Sequence, residues 1–303
     1  MLTKNKLSRI LALSIPLSGL AACGGGGSGG ESNFLADDPV PNFSFAVDSD
    51  FASQTSEDFI AFVEEDLGNS VETLNRIQNF FNNTTIPVSY TACEEANAFY
   101  SLLDRSITLC HELTNLGYNY YLQQDEETLD EESRQAIAFN RAFAMMNFVL
   151  YHEMGHAMDD LRELGIGGNF ESVADAISVV LSVQTGQPQA GIYGGLFFLI
   201  DTNASFGDEH IGGADRAGDI LCWTIGSSSL VAAAFPSATD LFNNEGRDCV
   251  GEYANQHEFV TQLIPFLDEV PPKSALKTSE AALAAEFAGM DDYMVEMLGS
   301  RDR

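Results

Sequence analysis

The chain has 303 residues, 45% of them hydrophobic and 21 of them phenylalanine, which is enough apolar material for a sizeable core and too much for a disordered chain. Its 45 acidic side chains against 14 basic ones give a formal charge of −31, which excludes nucleic acid and anionic lipid as partners of the folded surface. Such an acidic excess suits salty surroundings, where screening shortens self-repulsion to a few ångströms, and serves equally well as a solubility device.

Residues 1–33 read as an address and a tether. Lys4, Lys6 and Arg9 precede an apolar run from Ile10 to Leu17 that is too short to span a bilayer, the pattern of a secretory signal. The segment ends Leu20-Ala21-Ala22-Cys23, which resembles the lipobox of bacterial lipoproteins. Cys23 is therefore expected to be lipidated and to become the mature N-terminus. The alternative is an ordinary signal peptide with a cysteine near its cleavage region. The run from Gly24 to Gly30 favours a tether, since a glycine-rich coil of about ten residues reaches roughly 18 Å. The same resemblance to bacterial lipoproteins implies sorting to the outer membrane in a Gram-negative host, because Gly24 rather than aspartate follows the cysteine.

Residues 34–56 are rich in Pro and Asp and are expected to be extended. From about Ser56 to Phe81, Phe59, Val63, Leu67, Val71 and Leu74 recur at helical spacing, predicting an acidic amphipathic helix. Ile86–Tyr90 and Ser106–Cys110 read as short strands, with a third near Asn97–Tyr100 between them. Once Cys23 is set aside, Cys93, Cys110, Cys222 and Cys249 remain, and an even number in an exported chain predicts two disulfides. Three pairings are possible. The nearest-neighbour one, Cys93–Cys110 with Cys222–Cys249, keeps each bridge within its own lobe. No CxxC spacing supports a cysteine-bound metal. His111, followed by Glu112, reads as a surface or packing residue outside any site.

From about Gln135 to Leu161 an apolar, Ala-rich run predicts a buried helix, and it contains His152-Glu153-Met154-Gly155-His156. Four residues apart on a helix, the two imidazoles project from one face and can hold one metal ion. Glu153 sits one position round, close enough to reach a water there and badly placed to be a ligand. Catalytic zinc needs three protein ligands and an open position. The third is expected from the next helix, opening near Asn169 and running to about Thr185, where Glu171 precedes Asp175 by one turn. Leu164-Gly165-Ile166-Gly167-Gly168 would let that helix fold back on the first. Two of the five histidines fall on this motif, which favours a metal site over a chance pairing.

An HExxH helix followed by ExxxD on the next resembles the gluzincin metallopeptidases, of which thermolysin is the best known. The sequence is closer still to a bacterial family of metallopeptidase-like proteins of unknown function. The matching positions are Cys93, Cys110, His152 to Ala157, Glu171, Ala174, Asp175, Glu209, His210, Arg216 and Cys222, across roughly residues 86–225, about half the chain. The resemblance implies a zincin-like fold, α+β and mainly helical. Its parts would be a small N-terminal sheet, the metal-site helix and a helical C-terminal lobe. It implies one Zn2+ ion on His152, His156 and Glu171, with Glu153 as general base and Asp175 orienting His152. His210, in the loop Phe206–Gly213, would be the donor to a developing oxyanion, with a surface-loop histidine as the alternative. A peptide substrate would pair with the edge of the small sheet, along Ile107–Cys110 or its neighbour. For Arg216 a salt bridge with one of the many acids is favoured over a substrate carboxylate.

Gly191–Ile200 reads as a buried helix too short for a membrane span, and a further helix carries Arg216 through Trp223. Ser227–Arg303 is expected to be helical, with breaks near Pro236, Gly246 and Pro271-Pro272 and a last helix from about Ser279 to Leu298 that caps the second lobe. The expected organisation is a signal peptide (1–22), a lipidated cysteine and tether (23–33) and one domain (34–303), divided into lobes 34–165 and 166–303. The expected function is a zinc-dependent peptide-bond hydrolase at the cell envelope, acting on peptide or protein. It would meet the membrane through its N-terminal lipid and would not bind nucleic acid. The alternative is a catalytically silent, zinc-holding envelope lipoprotein. The sequence leaves the oligomeric state open.

Overall fold

The computed structural model describes residues 42–76, 84–124, 129–164, 170–200, 213–264, 267, 287 and 290–299. Its first strand, β1 (Phe43–Val47), lies in the stretch expected to be extended. Helix α1 (Ser49–Gln54) follows and corrects that expectation: the Asp48 carboxylate accepts from the Asp50 and Phe51 amides, satisfying the helix start, and Phe51 turns into the core. Helix α2 (Glu57–Asn75) is capped by Ser56, whose hydroxyl oxygen accepts from the Phe59 amide. Its buried stripe is Phe59, Val63, Leu67, Val71 and Leu74. The helix ends at Asn75, with Arg76 in a turn, short of the expected Phe81; residues 77–81 lie outside the described residues. At the end of α2, Asn75 accepts from the Phe43 amide at 2.7 Å and donates to its carbonyl at 2.9 Å, so the helix end pairs with β1 much as a strand would.

β2 (Ile86–Thr91), β3 (Ala98–Ser101) and β4 (Ser106–Cys110) complete a sheet of order β1-β2-β4-β3. β1, β2 and β4 run parallel, and β3 is antiparallel to β4. Alternation puts Ile86, Val88 and Tyr90 of β2 and Ile107 and Leu109 of β4 into the core. Of the two strands considered for the edge, β4 is interior, because β2 pairs on one side and β3 on the other. Its neighbour β3 forms one edge of the sheet, and β1 the other. The Cys110 amide donates to the Asn97 carbonyl, and antiparallel bonding alternates, so the backbone groups of Ala98 and Tyr100 point away from the sheet. The Ala98 amide is met there by its neighbour's Asn97 Oδ1 at 2.9 Å.

Helix α3 (His111–Gln124) follows β4 without a loop. Helix α4 (Glu131–Arg162) is capped by Asp130, which accepts from the Ser133 amide, and it stops at Glu163, whose φ of 49° is left-handed. It starts one turn earlier than the sequence pattern suggested. Every residue from Met145 to Met158 is buried, so α4 is the central helix, walled by α3, the sheet, α5 (Phe170–Gln184) and α6 (Pro188–Ile200). Two glycines permit this. A β-carbon on Gly155 would lie 2.8 Å from the Ala174 Cα of α5, and one on Gly194 of α6 would lie 2.4 Å from the Phe148 ring. Hydrogen bonds fix the register: Asn147 donates to Asp66 of α2 at 2.7 Å in a partly buried contact, and the Ser178 hydroxyl of α5 donates to the Phe148 carbonyl in the core.

Beyond α6 come α7 (Ala214–Gly226), α8 (Ser229–Ala234), α9 (Pro236–Asn244), α10 (Cys249–Leu263) and α11 (Met290–Gly299). α11 matches only the end of the expected last helix, since Phe287, within its expected span, lies in a turn; its Asp291 accepts from the Ser237 and Ala238 amides at the start of α9. The disulfides are Cys93–Cys110 and Cys222–Cys249, the nearest-neighbour pairing; the second fastens α7 to α10. The fold is thus α+β and mainly helical, with a small sheet near the N-terminus and a helical C-terminal region. No described helix is long and apolar enough to cross a membrane.

Candidate metal centre

His152 and His156 stand one turn apart on α4, walled by the core, and their Nε2 atoms come within 3.1 Å of each other. Glu171, in the first turn of α5, faces both. Its Oε2 is 3.2 Å from His152 Nε2 and its Oε1 is 3.4 Å from His156 Nε2. One ligand atom from each residue falls within 4.8 Å of the others. The imidazoles are almost fully buried, while the Glu171 side chain is 28% exposed, so the cluster opens to solvent on the α5 side. The Phe170 ring stacks on His156 with centroids 4.4 Å apart.

Asp175 lies one turn beyond Glu171, 2% exposed, with Oδ1 3.0 Å from His152 Nδ1. A carboxylate on that nitrogen favours the tautomer with its proton there, leaving Nε2 with a lone pair. The cluster therefore aims two imidazole nitrogens and a carboxylate at one point, and lone pairs so placed need a cation among them. Two nitrogens and an oxygen are a donor set that suits zinc. Without a metal, a proton plays the cation's part. Burial pulls the His152 imidazole down, but hydrogen bonds to Asp175 and Glu171 outweigh it and push the group up to about 9. Burial likewise works against the Asp175 carboxylate, yet Arg216 and His152 hold it below the usual range.

Glu153 is 2% exposed and stands beside the cluster, and its charge is felt by both His152 and Arg216. Arg216, on α7, does form the expected salt bridge, but its partners are the acids of the site. It donates to both Asp175 oxygens at 2.8 Å, its Nη1 lies 3.2 Å from Glu171, and its guanidinium lies 4.7 Å from the Phe198 ring centre. Nothing local in the sequence signals this role; its only trace is the place of Arg216 in the family pattern.

Glu209 and His210 lie outside the described residues, as do residues 165–169 and Cys23. His111 behaves as the packing residue expected: its ring nitrogens meet the Tyr90 hydroxyl at 2.9 Å and the Asn115 amide at 2.8 Å, among Phe51 and Phe59.

No curated protein and no solved structure matches the chain. One family does match, over residues 52–264, a span that includes β2 to β4, both disulfides and every residue of the cluster. That span, from within α1 to the end of α10, makes the chain a member of the DUF4344 family, described as "Putative metallopeptidase".

Proposed function

We propose that the protein is a zinc-dependent peptidase of the gluzincin type, held at the cell envelope by a lipid on Cys23. The observation that carries the reading is the convergence of His152, His156 and Glu171 on one point beside Glu153, in a member of this family. His152 and His156 would hold the ion through Nε2, with Nδ1 of His152 turned to Asp175, and Glu171 through a carboxylate oxygen. Zinc supplies Lewis acidity there, polarising a carbonyl and lowering the pKa of water towards neutrality.

The remaining tasks fall to the chain. Glu153 is the general base: its carboxylate takes a proton from the attacking water and passes it to the leaving amine. Asp175 fixes the His152 tautomer and ring orientation. His210 is assigned to the developing oxyanion on the resemblance alone. An extended peptide would lie along β3, where the backbone of Ala98 and Tyr100 faces outward. The Tyr100 hydroxyl donates to Asp160, one turn past His156 on α4, so this edge is fixed directly to the metal helix.

In peptide hydrolysis by the purified protein, Glu153→Gln should abolish turnover while one zinc stays bound. Full activity in that variant would sink the mechanism. For the envelope assignment, Cys23→Ser should move the protein out of the membrane fraction; retention there would remove the lipid anchor.

A further inference from the structure

Arg216 enters the site from α7, and all three of its guanidinium nitrogens are taken by the two carboxylates of α5. Nε donates to Asp175 Oδ2 and Nη2 to Asp175 Oδ1, each at 2.8 Å, while Nη1 lies 3.2 Å from Glu171 Oε2. The same Glu171 oxygen stands 3.2 Å from His152 Nε2, and the same Asp175 oxygen stands 3.0 Å from His152 Nδ1. Through one oxygen of each acid, the guanidinium thus reaches both nitrogens of a single imidazole.

This arrangement resolves a conflict within α5. Glu171 and Asp175 are like charges four residues apart on a helix, a spacing that is repulsive, and Asp175 is buried where a bare carboxylate is costly. A planar fork between them offsets both. The Arg216 side chain is 14% exposed, with its plane over the Phe198 ring. α7, which carries it, is itself fastened to α10 by Cys222–Cys249.

We propose that Arg216 is a positioning residue of the metal centre: it holds Glu171 and Asp175 at fixed spacing around His152, so that the third ligand is aimed before the ion arrives. This rests on the reading of His152, His156 and Glu171 as ligands, and it makes α7 a working part of the site. Two effects oppose each other. A cation beside a metal ion repels it, whereas a cation that orders the ligands favours binding. Asp175 cancels the Arg216 charge at 2.8 Å, so the repulsion is small and ordering wins. Lysine would supply the charge without the fork, since one ammonium on a flexible stem cannot bind a carboxylate in two parallel bonds and still reach a second.

The test is zinc affinity of the metal-depleted protein, read by competition with a chromophoric chelator. The variants are Arg216→Met, Arg216→Lys, Asp175→Asn and Arg216→Met with Asp175→Asn, each checked for folding by circular dichroism. Both single Arg216 variants should lose about ten- to a hundredfold in affinity, with lysine closer to methionine than to the parent. The double variant should lose less than the product of its two singles, because Arg216 acts partly through Asp175. If the methionine variant fails to fold, the lysine variant decides. Affinity equal to or tighter than the parent's in the folded methionine variant, or in the lysine variant where methionine does not fold, overturns the inference, and full rescue by lysine beside a weakened methionine variant overturns the fork. A parent that binds no zinc fails one step earlier, at the ligand reading, and takes the inference with it.

Discussion

The two helices that meet at the proposed metal centre hold their candidate site side chains in opposite ways. On α4, His152, Glu153 and His156 lie in a stretch buried on every side, so neighbouring side chains restrict their rotamers. On α5, Glu171 projects from the first turn, 28% exposed, and its direction is set by polar partners: Arg216 and the two imidazoles. One half of the site is fixed by packing and the other by polar contacts. Damage to α4 should therefore cost stability together with metal, whereas damage at Glu171 should cost metal alone.

The largest expected effect tests the buried side at constant shape. Glu153→Gln keeps the volume, so zinc content and melting temperature should hold while hydrolysis falls by about 10²- to 10⁴-fold; loss of folding instead would mean that the Glu153 charge is structural. Next is Gly155→Ala. Its β-carbon would collide with Ala174 of α5, an overpacking that costs about 1–3 kcal/mol against a helix-propensity gain of about 1 kcal/mol. Denaturant unfolding should show net destabilisation, and zinc affinity should fall as α5 is displaced. A stabilised variant with unchanged affinity would break the claim that packing sets this half.

Asp175→Asn should lower zinc affinity by about ten- to a hundredfold, and unchanged affinity would remove Asp175 from the support of His152. A pH titration sharpens the same contact. The metal-free His152 holds its proton up to about pH 9, and that proton must leave before zinc binds, so affinity should drop by about tenfold for each pH unit below 9. A flat profile between pH 6 and 8 would contradict this. The smallest effect is a control away from both helices: Ser56→Ala should cost about 1 kcal/mol by removing the α2 cap, with zinc affinity unchanged.

What could be read from the sequence follows the same division. The α4 motif was legible because spacing on one helix fixes which side chains share a face, and Glu171 with Asp175 was legible for the same reason on α5. The strands at Ile86 and Ser106 announced themselves by alternation. Their parallel pairing and the edge position of β3 did not, because register between separated strands leaves no local trace. α3 leaves little trace because it begins directly after the last residue of β4 without a capping loop, and its buried face of Leu113, Thr114, Gly117, Tyr118 and Tyr121 contains poor helix formers. α1 was hidden in a stretch whose Pro and Asp content suggested extension, although Asp48 caps it. The sequence suggests an ion pair for Arg216, but which acids it meets depends on how α7 docks against α5; Asp175 is 41 residues away in sequence.

The most direct measurement is metal content by elemental analysis of the purified protein beside its Glu171→Ala variant, with the stability of both metal-free proteins measured in parallel. The expected result is one equivalent of zinc in the parent and loss or strong weakening in the variant, with metal-free stabilities within about 1 kcal/mol, as for a partly exposed ion pair. No specific metal in the parent after zinc is offered, or zinc held equally well without Glu171, would contradict the central claim that His152, His156 and Glu171 form the metal site.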